Sequence, residues 1–242
     1  MKIISLVPSI TETLFDFGLT ADEVIGRTKF CIHPLNLMRN VEIIGGTKNL
    51  NIEKIKSLQP DLIIANKEEN EKLQVEELMK YFKVWVTDIE TLEDNQNFIS
   101  ELGSLLNKEI SAQNFNQKIN SVFNDIKVSS PKKIAYLIWR NPYMTVGSDT
   151  FINEVLQESG FENLFKNRKR YPEISVEELK EADLIFLSSE PFPFQQKHID
   201  ELQKEMPTKE IILVDGEAFS WFGTHLMKVD NYLKDLSLKY SV

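Results

Sequence analysis

Two stretches of this chain carry nearly the same text, and that duplication constrains the fold more than any other feature of its 242 residues. Asn51-Ile52-Glu53-Lys54-Ile55-Lys56 runs on into Pro60-Asp61-Leu62-Ile63-Ile64. Ser175-Val176-Glu177-Glu178-Leu179-Lys180 runs on into Asp183-Leu184-Ile185-Phe186-Leu187. Each reads as a cap residue, a short helix, then an acidic residue opening an apolar strand. The second copy is two residues shorter between its glutamate and its aspartate. A unit repeated 124 positions apart predicts two similar lobes. A cleft between lobes is where small ligands usually bind.

The rest of the chain agrees with a two-lobed α/β plan. Lys2 to Val7 reads as a buried strand, and Ser9 with Glu12 reads as a capping box opening a helix that Gly18 ends. Strands are expected at Val24–Gly26, Glu42–Ile44, Leu62–Ala65 and Val84–Val86. A helix over Glu71 to Phe82 should turn Leu73, Leu78 and Phe82 inward. From Leu92 to Ile126 apolar residues recur at three- and four-residue steps, with a break near Asn107 where Lys108 restarts the pattern. A helix of about 20 residues there would span about 30 Å. Alternation resumes with a strand over Lys133 to Trp139, a helix capped at Ser148-Asp149, the second repeat copy, a strand at Ile211–Val214 and a closing helix from Thr224 to Leu238. The expected domains are an N-terminal α/β lobe over 1–91, a helical linker over 92–130 and a C-terminal α/β lobe over 131–242. Mostly parallel central sheets are expected in both lobes, because strand and helix alternate.

Composition narrows the function. A formal net charge of −9 argues against nucleic acid or an anionic membrane surface as the main partner. No apolar run reaches the roughly 18 residues of a membrane span. The run Ile3 to Val7 meets Pro8 too early for the apolar core of a signal peptide. Either the native protein is cytoplasmic, or an export signal or lipid anchor preceded what is now Met1. Glu53 and Glu177 stand second after their caps, where the helix dipole favours a carboxylate, and they are equally suited to meet cations on a partner. Cys31 and His33 share one face if that stretch is extended, but the chain holds only two other histidines, His198 and His225, too few for a protein-built metal site. Gly45-Gly46-Thr47-Lys48 lacks the phosphate-loop spacing and reads as a turn. No arrangement of residues resembles a catalytic centre. Aromatic residues cluster in expected loops or just past strands: Phe30, Trp139, Tyr143, Tyr171, Phe192, Phe194, Trp221 and Phe222, with Arg27, Lys29 and Arg140 in the same segments. Such a set suits a flat or bulky anionic ligand at the carboxyl ends of strands.

At this point a family comes into view. Ile3-Ile4-Ser5-Leu6-Val7-Pro8-Ser9-Ile10-Thr11-Glu12 resembles the opening of substrate-binding proteins of ABC importers for cobalamin and ferric siderophores. So do Gly26 to Pro34, Asn51 to Ile64, Tyr171 to Glu178, and Asp215 to Gly223, in order along nearly the whole chain. The resemblance implies two Rossmann-like lobes joined by a single long backbone helix, with ligand in the cleft and one glutamate per lobe docking onto permease arginines. By position these are Glu53 and Glu177. Phe30 stands where the cobalamin binders place a tyrosine, and Tyr171 where they place a tryptophan; Thr47, Asn66 and Met144 depart from that aromatic pattern. The expected ligand is a metal chelate or corrinoid: cobalamin, a ferric siderophore or haem. No covalent cofactor and no chemistry are expected. Phe30, Asn66, Trp139, Tyr143, Tyr171 and Trp221 are the candidate cleft lining, with Asn66 offering a hydrogen bond to a ligand edge. A periplasmic or cell-surface monomer working with an ABC permease is implied. The competing readings are a cytoplasmic two-lobed enzyme acting on a phosphorylated or nucleotide substrate, and a cytoplasmic corrinoid- or haem-handling protein.

Overall fold

A computed structural model describes residues 1–126 and 128–240. They divide into two compact units. The first comprises Met1–Ile89, Glu93–Gln117 and Trp221–His225; the second comprises Glu90–Leu92, Lys118–Ser220 and Leu226 onward.

In the first unit β1 (Ile3–Ser5) leads to α1 (Pro8–Asp16), then β2 (Val24–Arg27), α2 (Leu35–Met38), β3 (Glu42–Ile43) and a hairpin of β4 (Gly45–Gly46) with β5 (Asn49–Leu50). The first repeat copy follows as α3 (Ile52–Leu58) and β6 (Leu62–Asn66), then α4 (Lys72–Met79) and β7 (Val84–Thr87). Five strands form a parallel sheet in the order β3-β2-β1-β6-β7. Residues of β1 and β6 are buried throughout, as apolar central strands with no solvent face must be. The aspartate of the repeat fixes their register. The Asp61 carboxylate accepts from Lys2 N at 2.7 Å, and Asp61 N donates to Lys2 O at 2.8 Å, so Leu62 starts opposite Ile3. Asn51 caps α3 as expected, its side chain accepting from Lys54 N at 3.0 Å, and Gln59 ends it in the left-handed region at φ 50°.

Two expectations fail here. Ser9 does not cap α1: Pro8 occupies the first helical turn, where its missing N–H costs nothing, and Glu12 is buried rather than folded back on a cap. Leu73 is exposed, because α4 starts at Lys72 and turns Val75 and Leu78 inward instead.

The expected break in the helical stretch falls at Asn107, which takes φ 55° between α5 (Leu92–Leu105) and α6 (Glu109–Asn124). Gly103 lets these helices approach closely, since a Cβ there would lie 2.5 Å from Ala112 Cβ. The longer of the two, α6, carries the chain across a division between the units. Its 16 residues make it shorter than the whole apolar pattern suggested, and the division falls between Gln117 and Lys118.

The second unit repeats the plan with β8 (Lys133–Leu137), β9 (Tyr143–Met144), α7 (Phe151–Glu158), β10 (Glu162–Asn163), β11 (Glu173–Ile174), α8 (Val176–Leu179) and β12 (Leu184–Ser188). After these come α9 (Gln196–Glu205), β13 (Glu210–Val214), α10 (Glu217–Ser220) and α11 (Asp230–Tyr240). Thr150, not Ser148 or Asp149, caps α7, accepting from Asn153 N at 3.2 Å. The closing helix begins later than expected, because Gly223–Met227 forms a 3₁₀ turn ahead of α11. The parallel sheet runs β10-β8-β12-β13. Tyr136, Phe161, Phe186 and Phe219 pack edge-on or tilted at 5.3–6.4 Å between ring centres. Burial pushes the Tyr136 phenol far above its usual pKa, and its hydroxyl donates to Ser188 Oγ at 3.0 Å.

Candidate functional site

In each sheet the chain departs from one central strand in both directions. In the first unit β2 and β3 lie to one side of β1, with β6 and β7 to the other; in the second, β10 lies on one side of β8, with β12 and β13 on the other. The order reverses at β1 and at β8, and ligands of open α/β sheets sit outside the carboxyl ends of strands at such points.

The loop after β2 carries Phe30. It is 50% exposed, and Ile32 and Leu35 in the same stretch are exposed too. The ring rests on the hairpin: a Cβ on Gly46 would lie 3.3 Å from its edge, and Lys29 Nζ stands 4.9 Å from its centre. Beneath it Cys31 is fully buried, its Sγ meeting Thr11 Oγ1 at 3.0 Å and Thr28 Oγ1 at 3.2 Å. Burial pushes this thiol's pKa up despite those hydroxyls. Cys31 and His33 do not share a face: the thiol points into the core, while the His33 ring packs edge-on against Trp221 at 5.6 Å.

Asn66 contradicts its expected role. It is 2% exposed, its amide nitrogen donates to Thr87 O at 3.3 Å and Thr87 Oγ1 at 3.1 Å, and its amide oxygen accepts from Glu68 N and Glu69 N. An amide so committed holds the end of β6 to β7 and has no group to offer a ligand. Trp221 is also buried, among His33 and His225. It belongs to a segment that returns to the first unit after β13. Gly223 N donates to Asn95 Oδ1 at 2.5 Å, Thr224 N to Thr13 Oγ1 at 3.1 Å, and His225 Nδ1 lies 2.7 Å from Glu12 Oε2. This is where Glu12 went. No local spacing could signal this contact, because the partner of Glu12 lies more than two hundred residues on.

In the second unit the end of β8 gathers Trp139, Arg140, Tyr143 and Phe192. Trp139 is 41% exposed, with its ring edge-on to Phe192 at 5.7 Å. Its carbonyl accepts from Met144 N at 3.2 Å, which folds β9 back beside it. Arg140 pairs with Glu201 at 2.5 Å. Partial burial pushes the Tyr143 phenol up in pKa, opposed by Arg140. Tyr171, half-buried, precedes β11, which pairs with β9; the backbone on either side is pinned by Gly147 N to Arg170 O at 2.7 Å and Thr145 N to Pro172 O at 3.1 Å. Trp139, Tyr143 and Tyr171 thus belong to one hairpin-edged neighbourhood. His198, read from sequence only as helical, is buried against Phe192 and Phe194, and its pKa is lowered by that burial and then by Arg140.

Glu53 and Glu177 lie elsewhere, at the starts of α3 and α8. Their side chains are 85% and 79% exposed. Each meets the lysine three residues on, Lys56 at 3.2 Å and Lys180 at 2.6 Å. The hydrogen bond that Lys56 donates to the Glu53 carboxylate raises the pKa of Lys56.

Paired α/β units with aromatic residues at strand carboxyl ends define a class of two-unit solute receptors, and comparison with known proteins agrees. The family model for periplasmic binding proteins matches residues 3–210, and the chain belongs to that family. A vitamin B12-binding protein of Vibrio parahaemolyticus is 26% identical over 195 residues, covering 77% of this chain and 70% of the relative. One from Vibrio cholerae is 27% identical over the same shares. Among solved structures, the periplasmic vitamin B12 binding protein BtuF of Vibrio cholerae superposes with a TM-score of 0.82 at 21% identity, covering 99% of this chain and 97% of that one. The periplasmic haem binding protein HutB of Vibrio cholerae gives 0.80 at 20% identity over 98% of each. At these identities the structures establish the shared two-lobed fold.

Proposed function

We propose that this protein is the substrate-binding component of an ABC importer, which binds a corrinoid or another metal chelate without chemistry and delivers it to a permease. The observation that carries this reading is the placing of exposed Phe30 and Trp139 just beyond β2 and β8, beside the points where strand order reverses in the two sheets. An aromatic ring held half-exposed by its own loop gives wide contact area at little entropic cost, which suits a macrocycle or a chelate. Membership of the periplasmic binding protein family supports the role, and the vitamin B12-binding relatives support a corrinoid as the first ligand to try. Function outside the cytoplasmic membrane, as a monomer, goes with this reading.

Phe30, Trp139, Tyr143 and Tyr171 are the proposed contacts. Trp221, buried against His33 and His225, is left out of this set, and Asn66 is withdrawn. The test is visible absorbance of the purified protein titrated with cyanocobalamin, haem and a ferric siderophore in turn. One of them should shift its absorbance and quench tryptophan fluorescence at a one-to-one ratio, and Trp139→Ala should weaken that binding about tenfold or more. No response to any of the three would sink the reading. Turnover of a phosphorylated or nucleotide substrate would favour an enzyme instead.

Glu53 and Glu177 are the proposed docking groups for permease arginines, since an exposed carboxylate and a guanidinium make a directional pair. Replacing both should leave ligand affinity unchanged and impair uptake; intact uptake in the double variant would remove this part of the proposal.

A further inference from the structure

The repeat copies a lysine as well as a glutamate, and this bears on docking; the inference rests on the role just given to Glu53 and Glu177. Both carboxylates project into solvent, yet each already has a cation at i+3: Lys56 Nζ at 3.2 Å from Glu53 Oε1, and Lys180 Nζ at 2.6 Å from Glu177 Oε2. We propose that Lys56 and Lys180 are resident competitors, which occupy the docking carboxylates of the free protein and must be displaced by guanidinium groups of the permease. Docking is then an exchange of cations. An arginine wins it because its planar fork engages both carboxylate oxygens, while an ammonium offers a single point of charge.

The two exchanges differ. Lys56 has further partners: its Nζ lies 4.1 Å from the centre of the Tyr81 ring and 4.0 Å from Glu77 Oε1, and its side chain is only 26% exposed. Displaced from Glu53, it keeps both. Lys180 has no second partner among the described residues. The neighbouring Glu178 cannot serve, because it is bonded to Ser175 N and Ser175 Oγ and paired with Arg168. Displaced from Glu177, Lys180 loses its only contact and remains within reach of the arriving guanidinium as a like charge. Lys180 is therefore the stronger competitor.

The experiment measures binding of the full chain to its permease complex in lipid nanodiscs at two ionic strengths. The proteins compared are wild type, Lys56→Met, Lys180→Met, Glu53→Gln with Glu177→Gln, and Lys166→Met as a charge-matched control. Lys166 pairs with Glu162, away from both carboxylates in sequence. Exposed ion pairs are weak, so Lys180→Met should tighten binding about two- to fivefold and Lys56→Met less than about twofold, both gains shrinking in salt. The double glutamine variant should bind at least about tenfold more weakly. Weakened double-glutamine binding with no gain in Lys180→Met overturns the competitor role and leaves docking standing. An equal gain in Lys166→Met assigns the effect to net charge and also overturns it. Unweakened binding of the double glutamine variant removes the docking role, and this inference with it.

Discussion

Asp61 in the first unit and Asp183 in the second make the same pair of hydrogen bonds. Asp61 holds Lys2 through N–H and C=O at 2.7 and 2.8 Å, and Asp183 holds Lys133 the same way at 2.8 Å each. Lys2 directly precedes β1 and Lys133 opens β8, so each pair of bonds pins the start of a central strand to the strand of the repeat. The units also end their first helix alike. Gly18 and Gly160 both take φ 83° after α1 and α7, with matching hydrogen bonds back into the last turn. Away from these pins they diverge. In the first, β5 pairs with β4, only a few residues before it; in the second, β11 pairs with β9, which lies across a whole helix and strand. Asn51 caps α3 with a neutral amide, whereas Ser175 is closed by the Glu178 carboxylate at 2.8 Å. The fixed parts are those that set strand register. The variable parts are the loops at the carboxyl ends, where a ligand would be read.

Three measurements would break or sharpen this comparison. The largest effect is expected at the two glycines. A Cβ at Gly160 would lie 2.4 Å from Val128 Cγ2, whereas one at Gly18 meets nothing nearer than Lys108 Nζ at 3.6 Å. Gly160→Ala should therefore cost about 3 kcal/mol, from left-handed strain plus overpacking, and Gly18→Ala about 1 kcal/mol from strain alone. Urea unfolding of each variant, with hydrogen exchange to locate the loss, checks the order; equal costs would show that the two caps are equivalent after all. Next, Asp61→Ala and Asp183→Ala should each cost about 1–2 kcal/mol, because each strips the same backbone donor of its partner. Costs that differ by more than about twofold would end the claim of a shared pin.

The smallest effect concerns pH. The bond from Ser175 N, helped by Arg168, lowers the pKa of Glu178 below its ordinary value. A lowered folded pKa adds stability that is complete above the unfolded value of about 4.3 and fades as pH falls through the folded one. Asn51 has no proton to gain. Amides of α8 should lose protection between pH 5 and pH 3 relative to amides of α3, on the order of a few-fold in exchange rate. A parallel loss in both helices would mean that the caps titrate with the whole molecule instead.

The repeat, the strand–helix alternation and the break at Asn107 were legible because each is written in local chemistry: cap residues, apolar runs and a residue tolerant of positive φ. Glu53 and Glu177 were legible as exposed charges for the same reason. Asn66 was not, because whether an amide faces a ligand or a neighbouring strand depends on Thr87, a residue of another strand. Glu12 was misread as a cap partner because Pro8 pre-empts the first turn and His225 supplies a distant hydrogen-bond partner. Leu73 was misjudged because it stands five residues from Leu78, about 140° round the helix, so it cannot share the buried face that Val75 and Leu78 form. The aromatic loops were found by composition, but only the structure separates half-exposed Phe30 and Trp139 from buried Trp221.

The return of Trp221–His225 to the first unit has a consequence for how the chain is made. Asn95 waits 128 residues for Gly223, and Glu12 waits 213 for His225. At about 5–20 residues per second on a ribosome, the first of these delays alone is roughly 6–25 seconds. The unit that emerges first is thus completed only after most of the second has been synthesised, with α11 of the second unit still to follow. A nascent chain stopped near residue 130 would hold a sheet with its register already set, yet would still lack the segment that fills the space beside Thr13.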